Sequence, residues 1–267
     1  MKKKKKTANI ILNVLIFILV GVALFSGYKL ISTLNEYKKG RQEYDDIREQ
    51  MIIEPTDQPQ QADNEDPGSV WVDDGYLRFD YNGLLRVNPD FKCWIDIPGT
   101  IISYPVVQAS DNNYYLRRTF TGQYNVGGVI FMDCMCPSDL TGRNTVIYGH
   151  RMNDGSMFTD LKKFLNASFA RENDEIRLYK ADGVYVYKIF AAYKSDALSD
   201  WYYPGFNSDA EFESWLRTQK GRSDVIFDMM PVAEDRVITL STCVGSWDEL
   251  GRYIVQAVLV DVVKLDG

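Results

Sequence analysis

The chain has 267 residues, 45% of them hydrophobic and 25% charged, which is the composition of a globular protein with room for one sizeable domain and accessory segments. A formal net charge of −7 argues against a nucleic-acid partner, which requires a basic surface. No Gly-x-Gly-x-x-Gly fingerprint, P-loop or His-Glu-x-x-His pattern occurs, and no acidic cluster has calcium-ligand spacing, so no cofactor and no metal is expected.

Lys2 to Lys6 form a basic block, and Ala8 to Tyr28 then run without a charge. A stretch of about twenty apolar residues spans the hydrocarbon core of a bilayer as a helix. A cleaved signal has a shorter core of about 7–15 residues, so Gly21-Val22-Ala23 is a weak cleavage site and an uncleaved anchor is expected. Burial as a soluble helix is the plainer alternative, and five consecutive lysines beside it oppose that reading. The lysines belong in the cytoplasm, which makes this a single-pass membrane protein with everything from Lys29 onward outside the cell.

Residues 28–52 carry Leu30, Ile31, Leu34, Tyr37, Tyr44 and Ile47 at roughly helical spacing and predict a stalk helix. "EPTDQPQQADNEDPGS" (54–69) has almost nothing to bury and reads as a linker. Three segments follow: a basic tip and anchor (1–28), a helical stalk and linker (29–69), and a globular domain (70–267).

The globular part is mainly β. Eight short runs read as strands: "CWIDI", "ISYPVVQ", "GVIFMD", "NTVIYGH", "EIRLYK", "VYVYKIFAAYKS", "RVITLST" and "RYIVQAVLVDVV". Gly, Pro, Asn and Asp separate them, as in an antiparallel barrel or sandwich. Two helices interrupt. "MFTDLKKFL" (157–165) has apolar residues at helical spacing, and "SDAEFESWLRTQKG" (208–221) opens with Ser208 and Glu211 as a capping box and ends at Gly221.

Three residues carry chemistry. In the strand ending at Cys243, Val237, Thr239, Ser241 and Cys243 share one face. Arg252 opens the next strand nine residues on, and adjacent strands would bring it close to Cys243. His150 is the only histidine in the chain. A thiolate attacks an amide carbonyl, a histidine protonates the departing amine, and a permanently charged guanidinium steadies the oxyanion. With ordinary pKa values about 3% of such thiols and a quarter of such imidazoles are ionised at pH 7, so the thiolate–imidazolium pair is below roughly 1% of molecules. A strand cysteine is ordinarily a small buried apolar residue, and spacing alone favours that reading.

The surrounding residues change the balance. "TLSTC" resembles the Thr-Leu-x-Thr-Cys signature of sortases, the membrane-anchored cysteine transpeptidases of Gram-positive bacteria. "NPDFKCWIDIPGTIISYPVVQASDNNYYL", "GGVIFMD" and "NTVIYGHRMNDGSMFTDLKKF" are similar to the family in the same order, and the resemblance covers about residues 75–264. The helix at 208–221 looks like the insert of class B members. The resemblance implies a closed eight-stranded sortase barrel with a triad of His150, Cys243 and Arg252. It also implies a groove for substrate at Asn112, Leu116, Tyr202, Tyr203, Ser241 and Thr242. For these aromatic residues plain core packing is the competing reading.

The implied partners are a surface protein with a C-terminal sorting signal (Asn-Pro-x-Thr-Asn-like) and a peptidoglycan precursor or cross-bridge amine, or a pilin lysine. A hydrolytic cysteine peptidase and a non-enzymatic tethered scaffold are the alternatives. The chain departs from the pattern at Val244, where several class B members have an acidic residue. Cys93, Cys134 and Cys136 are also outside the family pattern, and are expected as free thiols, with a disulfide from Cys93 to Cys134 or Cys136 as the alternative. Cys-x-Cys without further ligands is weak evidence for a metal.

Overall fold

The computed structural model describes residues 2–53, 75–245 and 248–264. The linker expected at 54–69, the domain start near Val70, and Ser246 and Trp247 of the loop after Cys243 lie outside the described residues.

Helix α1 (Lys2–Met51) is unbroken. Its apolar half leaves Phe17, Leu19, Leu24 and Phe25 exposed, and it is long and apolar enough to cross a membrane. Its last turns are different. Tyr37, Gly40, Tyr44, Ile47 and Met51 recur at helical spacing against the globular part, and Tyr44 and Ile47 are buried in its core. Burial of two such side chains contributes roughly 1.5–3 kcal/mol each. Ile52–Ile53 pairs with Arg78–Phe79, and α2 (Tyr81–Val87) follows, capped by Asp80, whose carboxylate accepts from the Gly83 N–H at 2.7 Å.

Eight strands close into a barrel. They are β1 (Phe91–Asp96), β2 (Ser103–Val107), β3 (Ile130–Met132), β4 (Asn144–Tyr148), β5 (Glu175–Lys180), β6 (Gly183–Asp196), β7 (Val237–Gly245) and β8 (Asp248–Val263). Around the barrel the order is β8-β6-β5-β1-β2-β3-β4-β7, returning to β8. The eight runs predicted from alternation and turn residues each overlap one of these strands, and β1, β6, β7 and β8 extend beyond theirs. Pairing is antiparallel except for β2 with β3 and β4 with β7. Parallel neighbours need long crossover connections. One crossover, residues 108–129, includes a 3-10 turn at Tyr114–Arg117, and the return to β7 passes through α3 (Ala167–Glu172) and α4 (Asp209–Arg222).

The segment expected as a helix at 157–165 is a 3-10 helix, Phe158–Leu165. Phe158, Leu161 and Phe164 are all fully buried, and a spacing of three puts them on one line only when there are three residues per turn. In α4 the Ser208 hydroxyl accepts from the Glu211 N–H at 3.2 Å, as a capping box requires. The Glu211 carboxylate instead reaches the N–H of Asn207, at 2.8 Å. Gly221 lies inside the helix, which ends one residue later with Ser223 as its cap.

A buried polar network ties the barrel seam to a neighbouring wall. Thr239 on β7 donates to Asn144 Oδ1 on β4 at 2.7 Å, and Gln256 on β8 donates to Thr239 at 3.0 Å. The Asn144 amide donates to the carbonyls of Trp201 and Tyr203 at 3.2 and 3.0 Å. Each of Asn144, Thr239 and Gln256 is fully buried, so removing one partner strands the others without water. Asn144→Leu is expected to cost roughly 2–4 kcal/mol in urea unfolding, as several buried groups lose partners at once. A loss under 1 kcal/mol would mean the network contributes little.

Candidate active site

The strands β4, β7 and β8 end side by side, and the connections leaving them enclose a groove of about 820 Å³. His150, Cys243 and Arg252 line it together with Asn112, Leu116, Tyr202, Tyr203, Ser241 and Thr242. All nine residues singled out in the sequence therefore face one cavity. Phe131, Asp133, Met135, Tyr148, Leu198 and Trp201 complete much of its lining and were not singled out.

Cys243 is half-buried on β7, directly opposite Arg252 on β8 in the antiparallel register. The register shifts between Asp248 and Arg252, a bulge that lets β8 restart its pairing at the arginine. The Arg252 guanidinium donates to the carbonyls of Glu249 and Gly251 at 2.8 and 3.0 Å, so its own loop steadies it. Asp248 accepts from the Gly251 N–H at 2.8 Å and pairs with Lys194 at 2.9 Å. The hydrogen bond from Lys194 holds the Asp248 carboxyl below its ordinary range. Val244 is buried and is not among the residues that line the groove.

His150 stands two residues past β4. The Gly149 N–H donates to the Ser241 carbonyl at 3.2 Å, extending the parallel pairing and tying the histidine's backbone to the cysteine's strand. Gly149 has no substitute here. A Cβ would lie 2.5 Å from Ile130 Cδ1 and 2.7 Å from the Phe158 ring. The imidazole Nε2 is 2.7 Å from the Leu116 carbonyl. A carbonyl oxygen only accepts, so Nε2 carries the hydrogen and Nδ1 is the nitrogen left for chemistry. Burial pushes the imidazole pKa below its ordinary value, as does the nearby Arg117 charge; the Leu116 bond opposes this.

The groove wall is built from buried supports. Asn112 donates to Asp133 at 2.9 Å and accepts from the Cys134 N–H at 2.8 Å, so one amide N–H remains to face a ligand. Tyr148 also donates to Asp133, at 2.8 Å. Burial, together with that carboxylate, raises the phenol's pKa far above its ordinary value. Asp133 ends one strand-like run and Tyr148 lies inside another, and alternation alone said nothing about which runs converge. Trp201 is buried beneath Tyr202 and Tyr203 and donates to the Asp196 carbonyl at 2.8 Å. The Ser241 and Thr242 hydroxyls are buried against the groove without a hydrogen-bond partner. Groups in that state are costly unless something binds them.

All four cysteines are free, so the pairing considered for Cys93 is not formed. Burial raises the Cys93 thiol to about 12 and the Cys136 thiol to about 11. Among the described residues no group of three His, Cys, Asp or Glu side chains could hold a metal ion.

A groove with a thiol at the end of one strand, a cation opposite it and an imidazole alongside is equipped to break and remake an amide through sulfur, which is the work of a cysteine acyl-transfer enzyme. Comparison with known proteins narrows the class. A family model described as "Sortase domain" matches residues 95–260. Sortase B of Listeria monocytogenes is 33% identical over 249 residues, spanning 92% of this chain and 95% of that protein. Sortase B of B. anthracis in complex with AAEK1 superposes with a TM-score of 0.69 at 30% identity, covering 87% of this chain and 100% of that one. The Staphylococcus aureus sortase B–substrate complex gives a TM-score of 0.64 at 31% identity, covering 69% of this chain and 85% of that one. The chain belongs to the sortase family of cysteine transpeptidases, and these relatives are class B sortases.

Two measurements check the electrostatics. His150 is the sole histidine, and its folded pKa lies below the unfolded value of about 6.5. The unfolded chain therefore binds the proton first, and stability is expected to fall as pH drops from about 7.5 through that window. His150→Gln should flatten this slope; a wild-type slope of opposite sign would contradict the lowered pKa. Native iodoacetamide labelling at pH 8 is expected to modify Cys243 and Cys134, which are half-exposed, while Cys93 and Cys136 stay unmodified by mass spectrometry.

Proposed function

We propose that the protein is a membrane-anchored class B transpeptidase that cleaves a C-terminal sorting signal after threonine and passes the surface protein to a cell-wall amine. The observation that carries this is the register that sets Arg252 opposite Cys243, at a groove shared with His150 and two unpartnered hydroxyls. The Staphylococcus aureus relative named as a substrate complex supports a peptide occupant for the same groove.

The steps follow from the chemistry of the residues. The Cys243 thiolate attacks the threonine carbonyl, and the oxyanion or an adjacent substrate carbonyl takes charge-assisted hydrogen bonds from Arg252. Nδ1 of His150 protonates the departing amine, since Nε2 is held by Leu116. The same nitrogen then takes a proton from the incoming amine, which attacks the thioester and frees the sulfur. Ser241, Thr242 and the free N–H of Asn112 bind the signal's polar backbone and side chains, and Leu116, Tyr202 and Tyr203 pack its apolar parts.

Residues 1–28 would form the cytoplasmic tip and anchor, 29–69 the stalk and linker, and 70–267 the extracellular catalytic domain. The apolar half of α1 and the lysine block before it support that orientation.

Incubating the full chain in detergent micelles with an Asn-Pro-x-Thr-Asn peptide and triglycine is expected to yield the threonine–triglycine adduct. Cys243→Ala should abolish it, and His150→Ala should lower the rate by roughly 10²–10⁴-fold. A product mass unchanged by added amine would make the enzyme a hydrolytic peptidase instead. Preference for a lysine side chain over triglycine would make it a pilin polymerase. Turnover that persists in Cys243→Ala would remove the thiol from the mechanism.

A further inference from the structure

We infer that the outer part of α1 is a positioning element for His150, acting through Tyr44 and Arg41, neither of which reaches the groove. The inference rests on the role proposed above for His150. The barrel fixes the backbone beside that residue, through the Gly149–Ser241 hydrogen bond, but the ring is oriented by the Leu116 carbonyl. Leu116 sits in the 108–129 crossover, whose regular structure is one short 3-10 turn. Segments like this open easily unless something outside them holds them in place.

Helix α1 supplies the hold from two sides. The Tyr44 hydroxyl donates to the Gly128 carbonyl at 2.5 Å, in a buried bond. Gly128 has a φ of 55° and lies so close behind the 3-10 turn that a Cβ would be 2.6 Å from the Tyr115 carbonyl oxygen and 2.8 Å from that of Leu116. The Leu116 oxygen is the one that receives the imidazole hydrogen, at 2.7 Å. Phenol, Gly128, Leu116 and imidazole are thus consecutive contacts. Two further ties reach the same crossover: Asn125 donates to the Glu36 carbonyl at 2.8 Å, and the Thr121 N–H to Glu43 at 3.0 Å.

The second side is the turn following His150. Arg41 donates to the side chain and carbonyl of Asp154 at 2.9 and 3.1 Å. That turn is closed by the Arg151–Met157 bridge and by the Phe158 N–H donating to the His150 carbonyl at 2.9 Å. The Met157 N–H donates to the Tyr104 hydroxyl at 3.1 Å, and the Tyr104 ring meets Tyr44 edge-on at 5.4 Å between centroids. Tyr44 touches both supports. A reacting group displaced by a fraction of an ångström loses rate without losing substrate, so the signature is in kcat and in the imidazole itself.

The test uses the full chain in detergent micelles, with Tyr44→Phe, Arg41→Gln and, as a matched control, Tyr81→Phe. Tyr81 makes an equivalent phenol–carbonyl bond, to Lys92 at 3.2 Å, but on α2. Tyr44→Phe is expected to lower kcat for the sorting-signal peptide about tenfold, equal to ~1.4 kcal/mol in the barrier, with KM unchanged. The ring ¹H–¹³C signal, which a sole histidine makes unambiguous, should shift or broaden. Arg41→Gln should move both readouts the same way by about two- to threefold in kcat, in line with an exposed ion pair. Tyr81→Phe should move neither.

An unchanged ring signal in folded Tyr44→Phe overturns the inference, as does an equal effect from Tyr81→Phe. If Tyr44→Phe does not fold, Arg41→Gln decides: a wild-type ring signal there overturns it. If the wild-type chain turns over no peptide, the proposed function fails, while the ring signal still decides the positioning role.

Discussion

The position of β7 between β4 and β8 is the constraint on which the site depends. The parallel pairing with β4 runs from Asn144 opposite Val237 to Tyr148 opposite Ser241, and it delivers His150 just beyond the last pair. The antiparallel pairing with β8 sets Arg252 opposite Cys243. A slip of one residue in either register would turn the thiol or the guanidinium to the other face of its strand. The polar network of Asn144, Thr239 and Gln256 crosses both pairings and guards them, because each partner is fully buried and a slipped register would leave its hydrogen bonds unmade.

The same network reaches outward. Asn144 holds the backbone carbonyls of Trp201 and Tyr203, so the aromatic wall of the groove is fastened to the seam that carries the chemistry. Asp133 does similar work on the facing side, where it accepts from Asn112, Tyr148 and the Met135 N–H. The groove walls and the strands that carry Cys243 and Arg252 thus share supports. The helix α1 adds a third support, from outside the barrel, to the 108–129 crossover and to the turn after His150.

The eight strands were legible because alternating apolar residues between Gly, Pro, Asn and Asp leave a clear period of two. The closure order was not, since β7 meets β4 across a crossover that includes α4, and no local pattern encodes such a pairing. Cys243, His150 and Arg252 were legible as candidate chemistry, and the family motifs supplied the expectation that they share one groove. Asp133 and Tyr148 were missed because each sits in a strand run like any other residue, and only the fold brings them together. Residues 28–52 read as a helical stalk, and the period was right; what spacing did not convey was that Tyr44 and Ile47 bury themselves in the same hydrophobic core as the barrel strands.

The lowered imidazole pKa has two opposite consequences, and their balance explains the arrangement. Burial makes the protonated ring scarcer at neutral pH. The same burial makes each protonated ring a stronger acid, and so a better donor to a departing amine. A leaving amine is expelled with difficulty unless it is protonated as the bond breaks, so acid strength acts on the demanding step. Because Nε2 is committed to Leu116, the mobile proton is confined to Nδ1, and the donor's direction is set before substrate arrives. In the proposed reaction, a site arranged this way gives up protonated-ring population for a well-aimed and stronger acid, and the aim depends on Leu116 keeping its place.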